Sequence, residues 1–147
     1  MSKRDKGTRM VHIPANKKFT RRESQPDSFF QKQPSWRFQF MDKEKWSPVC
    51  KINDLVEKLC EYETMTWAEI DSASKSSKGS RNHFIKVDRM DKKARERLDE
   101  LHLTYDEYYS IALTGKARLF GVLESGIFHV LWYDQNHEVC PTIKRHT

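Results

Sequence analysis

Apolar residues are sparse at the start of the chain and dense in its last third, and their spacing changes several times in between. Residues 1–34 are polar, contain Pro14, Pro26 and Pro34, and show little apolar periodicity, which predicts an irregular arm. Trp36, Phe38 and Phe40 then alternate as in a short strand. Ser47-Pro48 reads as an N-cap followed by proline at the first helical position, and Ile52, Leu55, Val56, Leu59 and Cys60 recur at helical spacing. Thr66-Trp67-Ala68-Glu69 is a capping box, with Met65 and Ile70 placed as its hydrophobic staple, so a second, short helix starts there.

Beyond it, SASKSSKGSRN is a basic, serine-rich loop too polar to pack. His83 to Val87 is a strand candidate, and Asp88 is placed to cap a helix reaching His102 whose Ala94, Leu98 and Leu101 share a face. Tyr105 to Leu113 divides between a helical turn and a strand from about Ser110. Ser125-Gly126 is a plausible two-residue turn, which pairs Leu123 with Phe128, Gly121 with Val130 and Leu119 with Trp132 on one apolar face. The opposite face then carries Arg118, Phe120, Val122, His129, Leu131 and Tyr133, a mixed set suited to a working surface. The pattern predicts an α+β domain over residues 35–147, with N-terminal helices packed on a small antiparallel sheet closed by a C-terminal hairpin.

Length and composition fit one domain with a real core. No apolar run approaches the roughly 18 residues that cross a bilayer, and the first ten residues lack a signal peptide's apolar segment, so a cytoplasmic protein with no membrane partner is expected. Cys50, Cys60 and Cys140 form no CxxC pair and read as thiols. The spacing of His137 and Cys140 alone makes a poor zinc site, so neither metal nor cofactor is expected.

The net charge of +6 is unevenly placed. Residues 1–37 hold ten Lys/Arg against three Asp/Glu, and the remainder 17 against 18. A second basic stretch runs from Lys75 to Arg97, nine against three. Clustered cations are the footprint of a polyanion partner, and equally of a solvated surface. Trp36, Phe38, Phe40 and Trp46 beside the basic arm are either nucleobase-stacking or packing residues, and their alternation favours packing.

Leu113-Thr114-Gly115, Arg118 opening a strand, and an apolar last strand ending in Asp134, Asn136 and His137 resemble the RelE/ParE-type toxins of bacterial toxin-antitoxin systems over about residues 50–147. Trp67 to Ile70, Asn82 to Phe84, Arg118 to Gly121 and Trp132 to His137 resemble more closely an uncharacterised toxin-like group of small bacterial proteins. The first resemblance implies metal-independent cleavage of messenger RNA on the ribosome, and a cognate antitoxin as partner. It equally implies a non-catalytic inhibitor or nucleic-acid-binding module, as ParE-type relatives act on gyrase.

RNA cleavage needs a base for the 2′-hydroxyl, a cation for the phosphate and an acid for the leaving oxygen. Arg118 matches the family's position at a strand start, while His83, His129 and His137 are catalytic candidates by chemistry. Lys75, Lys78, Arg81, Asn82 and Tyr133 are the candidate RNA contacts. A complete catalytic set from the family does not map onto the chain.

Overall fold

The computed structural model describes residues 30–141 apart from 74, 77, 78 and 81, and only the backbone of 73, 75, 76, 79 and 80. Residues 1–29 of the expected arm lie outside the described residues, as do the side chains of Lys75, Lys78 and Arg81.

The elements follow in the order β1 (Ser35–Arg37), a 3₁₀ turn at Val49–Lys51, α1 (Ile52–Tyr62), α2 (Trp67–Ala73) and the short ribbon β2 (Lys75–Ser76) and β3 (Gly79–Ser80). Then come β4 (His83–Lys86), a 3₁₀ turn at Val87–Arg89, α3 (Lys92–Glu100), β5 (Glu107–Ala112), β6 (Arg118–Glu124) and β7 (Ile127–Asp134). The fold is α+β. Its five-stranded sheet has the order β1-β7-β6-β5-β4, and it is mixed rather than wholly antiparallel, because β1 runs parallel to β7.

Both faces of the sheet are buried, which is why its three long strands are almost continuously apolar. On one face Leu55 and Leu59 of α1 and Trp67 and Ile70 of α2 pack against Tyr109, Ile111, Leu119, Leu123, Phe128 and Val130. On the other, Met90, Ala94, Leu98 and Leu103 cover Ile85, Tyr108, Phe120, Val122, Leu131 and Trp132. The second face, expected as a working surface, is therefore mostly a second core.

Strands β6 and β7 turn at Ser125 and Gly126, both at positive φ, with Leu123 opposite Phe128 and Gly121 opposite Val130 as expected. The expected pairing of Leu119 with Trp132 is not made: Phe120 faces Trp132 and Leu119 faces Tyr133. A bulge at Phe120/Gly121 leaves Leu131 as an extra residue, so Trp132 moves to the opposite face. Gly121 makes this possible, because a Cβ there would meet the His129 carbonyl and lie 2.7 Å from the Phe128 ring.

Local signals mostly hold. The Thr66/Glu69 box closes in both directions at 2.9 and 3.2 Å, but Ser47-Pro48 does not start the long helix: Ser47 Oγ accepts from Val49 N–H at 3.1 Å at the head of the 3₁₀ turn, and α1 begins only at Ile52. Only Leu55 and Leu59 of the α1 stripe are buried; Val56 is 48% exposed. Asp91 rather than Asp88 caps α3 by accepting from Lys93 N–H at 2.9 Å, since residues 87–89 form a separate turn that buries Met90. Strand β5 starts at Glu107, not at Ser110. Packing begins before Ser35: Phe30 joins the first core, and Lys32 C=O accepts from Trp67 N–H at 2.9 Å.

Beyond the three residues of β1, the outer edge of β7 is covered by residues 42–46. Asp42 N–H donates to Leu131 C=O at 3.1 Å, and Tyr133 N–H to Trp46 C=O at 2.7 Å. Asp42, 3% exposed, fastens this segment. Its carboxylate accepts from Arg97 Nε at 2.8 Å and Nη2 at 2.9 Å, from Trp132 Nε1 at 2.9 Å, and from the Glu44 and Lys45 amides. Burial alone would raise its pKa; the Arg97 fork and the other donors outweigh this and hold it well below the carboxylate range.

Candidate functional site

The candidates named on sequence are scattered. His83 is exposed near the start of the edge strand β4, opposite Ser110. Arg118 begins β6 opposite Asp134 and donates through Nη1 to the carbonyls of Gly115 at 3.0 Å and Ala117 at 2.8 Å. This guanidinium therefore braces the turn before its own strand. His137 lies at positive φ in the turn after β7. That polar cluster has a structural explanation: Asp134, 1% exposed, accepts the Glu138 and Val139 amides at 2.8 Å each and folds the chain back. His129 is four residue pairs along the β6–β7 ladder from Arg118, on the order of 13 Å away at ~3.3 Å per residue.

Two expected RNA contacts are committed elsewhere. Asn82 is buried; its Nδ2 donates to Ile70 C=O at 3.1 Å and its Oδ1 accepts from Ala112 N–H at 2.7 Å, tying α2 to β5. Such a side chain is a bridge within the fold, not a base contact. Tyr133 lies on the first face, where it borders a cavity of about 350 Å³ with Asp54, Glu57, Glu61 and Lys58. Three carboxylates against one amine disfavour a polyphosphate there.

One candidate sits in a constellation of titratable groups. His129 is 4% exposed, with Phe40 stacked on its ring at 4.9 Å between centroids. Its Nε2 is 3.8 Å from Glu124 Oε1, and its Nδ1 has no hydrogen-bond partner. Burial, and then the charge of Arg37, hold the imidazole below its ordinary value. Arg37 is its parallel neighbour on β1 and is exposed. Burial raises Glu124, yet its side chain is 34% exposed, so the pair reaches solvent through this carboxyl.

Tyr108 is buried in the same second core as Val122, and its hydroxyl has no hydrogen-bond partner. The Tyr105 phenol is raised first by burial and then by Glu124. A neutral imidazole next to a carboxyl that resists ionising is an arrangement that can accept a proton at one atom and give one at the other.

Glu124 and Arg37 were missed because nothing local marks them. Glu124 reads as the residue before a turn, and Arg37 as one of ten cations near the N-terminus. Among the described residues no group of His, Cys, Asp and Glu is arranged to hold a metal ion, and no helix is long and apolar enough to cross a membrane. No family model, curated protein or solved structure matches the chain.

Proposed function

We propose that the protein is a toxin-like endoribonuclease that cleaves RNA without a metal, at Glu124 and His129 rather than at the set centred on Arg118. The carrying observation is the 3.8 Å approach of Glu124 to His129 next to Arg37. Glu124, on the solvent side, exchanges a proton with the substrate; His129 behind it takes up or returns that proton. Arg37 contacts the phosphate, which suits its planar, permanently charged fork. In the step itself the 2′-hydroxyl loses its proton and its oxygen bonds to phosphorus. The bond to the 5′-oxygen breaks and that oxygen is protonated, leaving a 2′,3′-cyclic phosphate and a 5′-hydroxyl.

The basic arm over residues 1–34 and the cations between Lys75 and Arg97 add attraction for a polyanion and, in the toxin reading, for the ribosome. The closing β6–β7 pair serves as the rigid mount, since Glu124 and His129 flank its turn. A cytoplasmic setting and a cognate antitoxin belong to the same reading.

The test is to express the wild type, Glu124→Gln, Arg37→Ala and Arg118→Ala, follow growth, and map RNA 5′ ends, with purified protein assayed in chelator. Cleavage lost in the first two variants and kept in the third is the expected result; unchanged RNA ends for the wild type and an empty vector remove the proposal. The cover of Phe40 over His129 favours a second reading, a non-catalytic module that inhibits a cellular machine such as gyrase. Salt-dependent binding, or blocked supercoiling, with RNA left intact is its signature.

A further inference from the structure

Neither nitrogen of His129 makes a close hydrogen bond: Nε2 lies 3.8 Å from Glu124 Oε1, and Nδ1 has no partner among the described residues. An imidazole that works through one nitrogen is ordinarily oriented by a bond at the other. Its χ2 is a broad torsion, so nothing in the side chain itself stops the ring from turning about the Cβ–Cγ bond and carrying Nε2 away from Glu124.

Phe40 lies against this ring. The two stack with centroids 4.9 Å apart and planes 23° from parallel. Turning the imidazole out of its plane would drive an edge of it into the phenyl face, so the stack restrains the torsion that no hydrogen bond holds. Phe40 is in turn held by the backbone. Arg37 pairs with His129, and Asp42 N–H donates to Leu131 C=O at 3.1 Å, which fastens both ends of residues 38–41 to β7. Between them Met41 N–H donates to Phe38 C=O at 3.1 Å, a tight turn with Gln39 and Phe40 at its centre.

We infer that Phe40 is the positioning residue of His129: stacked on the imidazole, it stands in for a hydrogen bond at Nδ1, keeps Nε2 directed at Glu124 and keeps water off the ring. This rests on the RNA reading above and names what holds that same site in register. Among the described residues the charged groups facing His129 are Glu124 on β6 and Arg37 on β1. Both remain when Phe40 is replaced, so a change in the His129 titration reports the loss of the cover. Water then reaches the imidazole, the burial that holds it down weakens, and its pKa rises toward the ordinary 6.5.

The experiment uses the full chain as wild type, Phe40→Ala, Phe40→Leu and Phe40→Tyr. RNA cleavage is followed across pH, and the His129 resonance, identified by its loss in His129→Phe, is titrated by NMR, with thermal melts alongside. Phe40→Ala is expected to cut RNA about tenfold or more slowly, with the His129 limb of the pH–rate profile and the NMR titration both moved up toward 6.5. Phe40→Tyr keeps the flat ring and restores both. Phe40→Leu keeps an apolar cover without a flat face, so it melts near the wild type and holds the titration low, yet stays slow.

An unmoved titration in Phe40→Ala, a lower rate with the shape of the profile unchanged, or full rescue of the rate by Phe40→Leu overturns the inference. Should Phe40→Ala fail to fold, the other two variants decide: Phe40→Tyr faster than Phe40→Leu supports it, and equal rates overturn it. A wild type that cuts no RNA removes the cleavage reading alone. A His129 titration that moves in Phe40→Ala then still supports the hold of Phe40 on the ring, and one that does not overturns it.

Discussion

Asp42 accepts the indole N–H of Trp132 at 2.9 Å across 90 positions of sequence. With the Arg97 fork on the same carboxylate, this bond joins the β7 bulge, the covering segment 42–46 and α3 at one buried point. Every acceptor position that matters is filled by an N–H, which is what makes a buried charge tolerable.

Asp42→Ala is expected to destabilise the fold by about 3–5 kcal/mol, because the indole and guanidinium then lose their buried acceptor. The Asp42 pKa is depressed in the folded state, so its contribution is present above its unfolded value of 3.8 and is lost as pH falls through the folded one. Urea midpoints of both proteins at neutral pH measure the difference; a loss below about 1 kcal/mol contradicts this account.

Gly121→Ala is expected to cost about 3 kcal/mol, since its methyl group would meet the His129 backbone and stand 2.7–2.8 Å from the Phe128 ring. Substitution at Gly115, where nothing lies within 4 Å, meets only the strain of a φ of 63°. Thermal melts of the two alanine variants should therefore rank Gly121 as the more damaging site.

His129 gives a pH signature. Its folded pKa lies below the ordinary 6.5, so the unfolded chain takes up the proton first. The contribution is fully present above about pH 6.5 and is lost as pH falls through the folded value. Glu124 works the other way: raised above 4.5, it contributes below that value and loses the contribution as pH rises through its folded pKa. Stability profiles of wild type and His129→Phe should diverge on the acid side of 6.5, the variant staying flatter. A His129 resonance that titrates at or above 6.5 in the folded protein contradicts the assignment.

Glu124→Gln is expected to reduce RNA cleavage by about a hundredfold or more, the usual worth of a positioned proton carrier, and to remove one limb of the pH–rate profile. Arg118→Ala should leave that profile in place, since its guanidinium holds the Gly115 and Ala117 carbonyls. Single-turnover rates across pH separate this from a general loss of folding, which would lower the whole profile without changing its shape.

Asp134→Ala should destabilise by about 2 kcal/mol by orphaning the buried Val139 amide and freeing that of Glu138. Hydrogen exchange at those two amides, faster in the variant, checks it.

What the sequence determined by itself lies within a few residues. The Thr66/Glu69 box, the apolar strands and the Ser125-Gly126 turn are set by hydrogen bonds and steric limits that act over one turn of chain. The cap of α3 was misplaced by only three residues, because Asp88 and Asp91 carry the same local signal. The tertiary structure decided the rest. A single bulge reassigned Trp132 to the other face, and the partner carboxylate of its indole comes from 90 positions away in the sequence. The same holds for the candidate site: Arg37 meets His129 only through a parallel pairing that no alternation pattern encodes. Glu124 meets His129 only because the turn folds β7 back along β6. Burial then shifts both groups, and burial is a property of the packed sheet, not of a residue's neighbours in sequence.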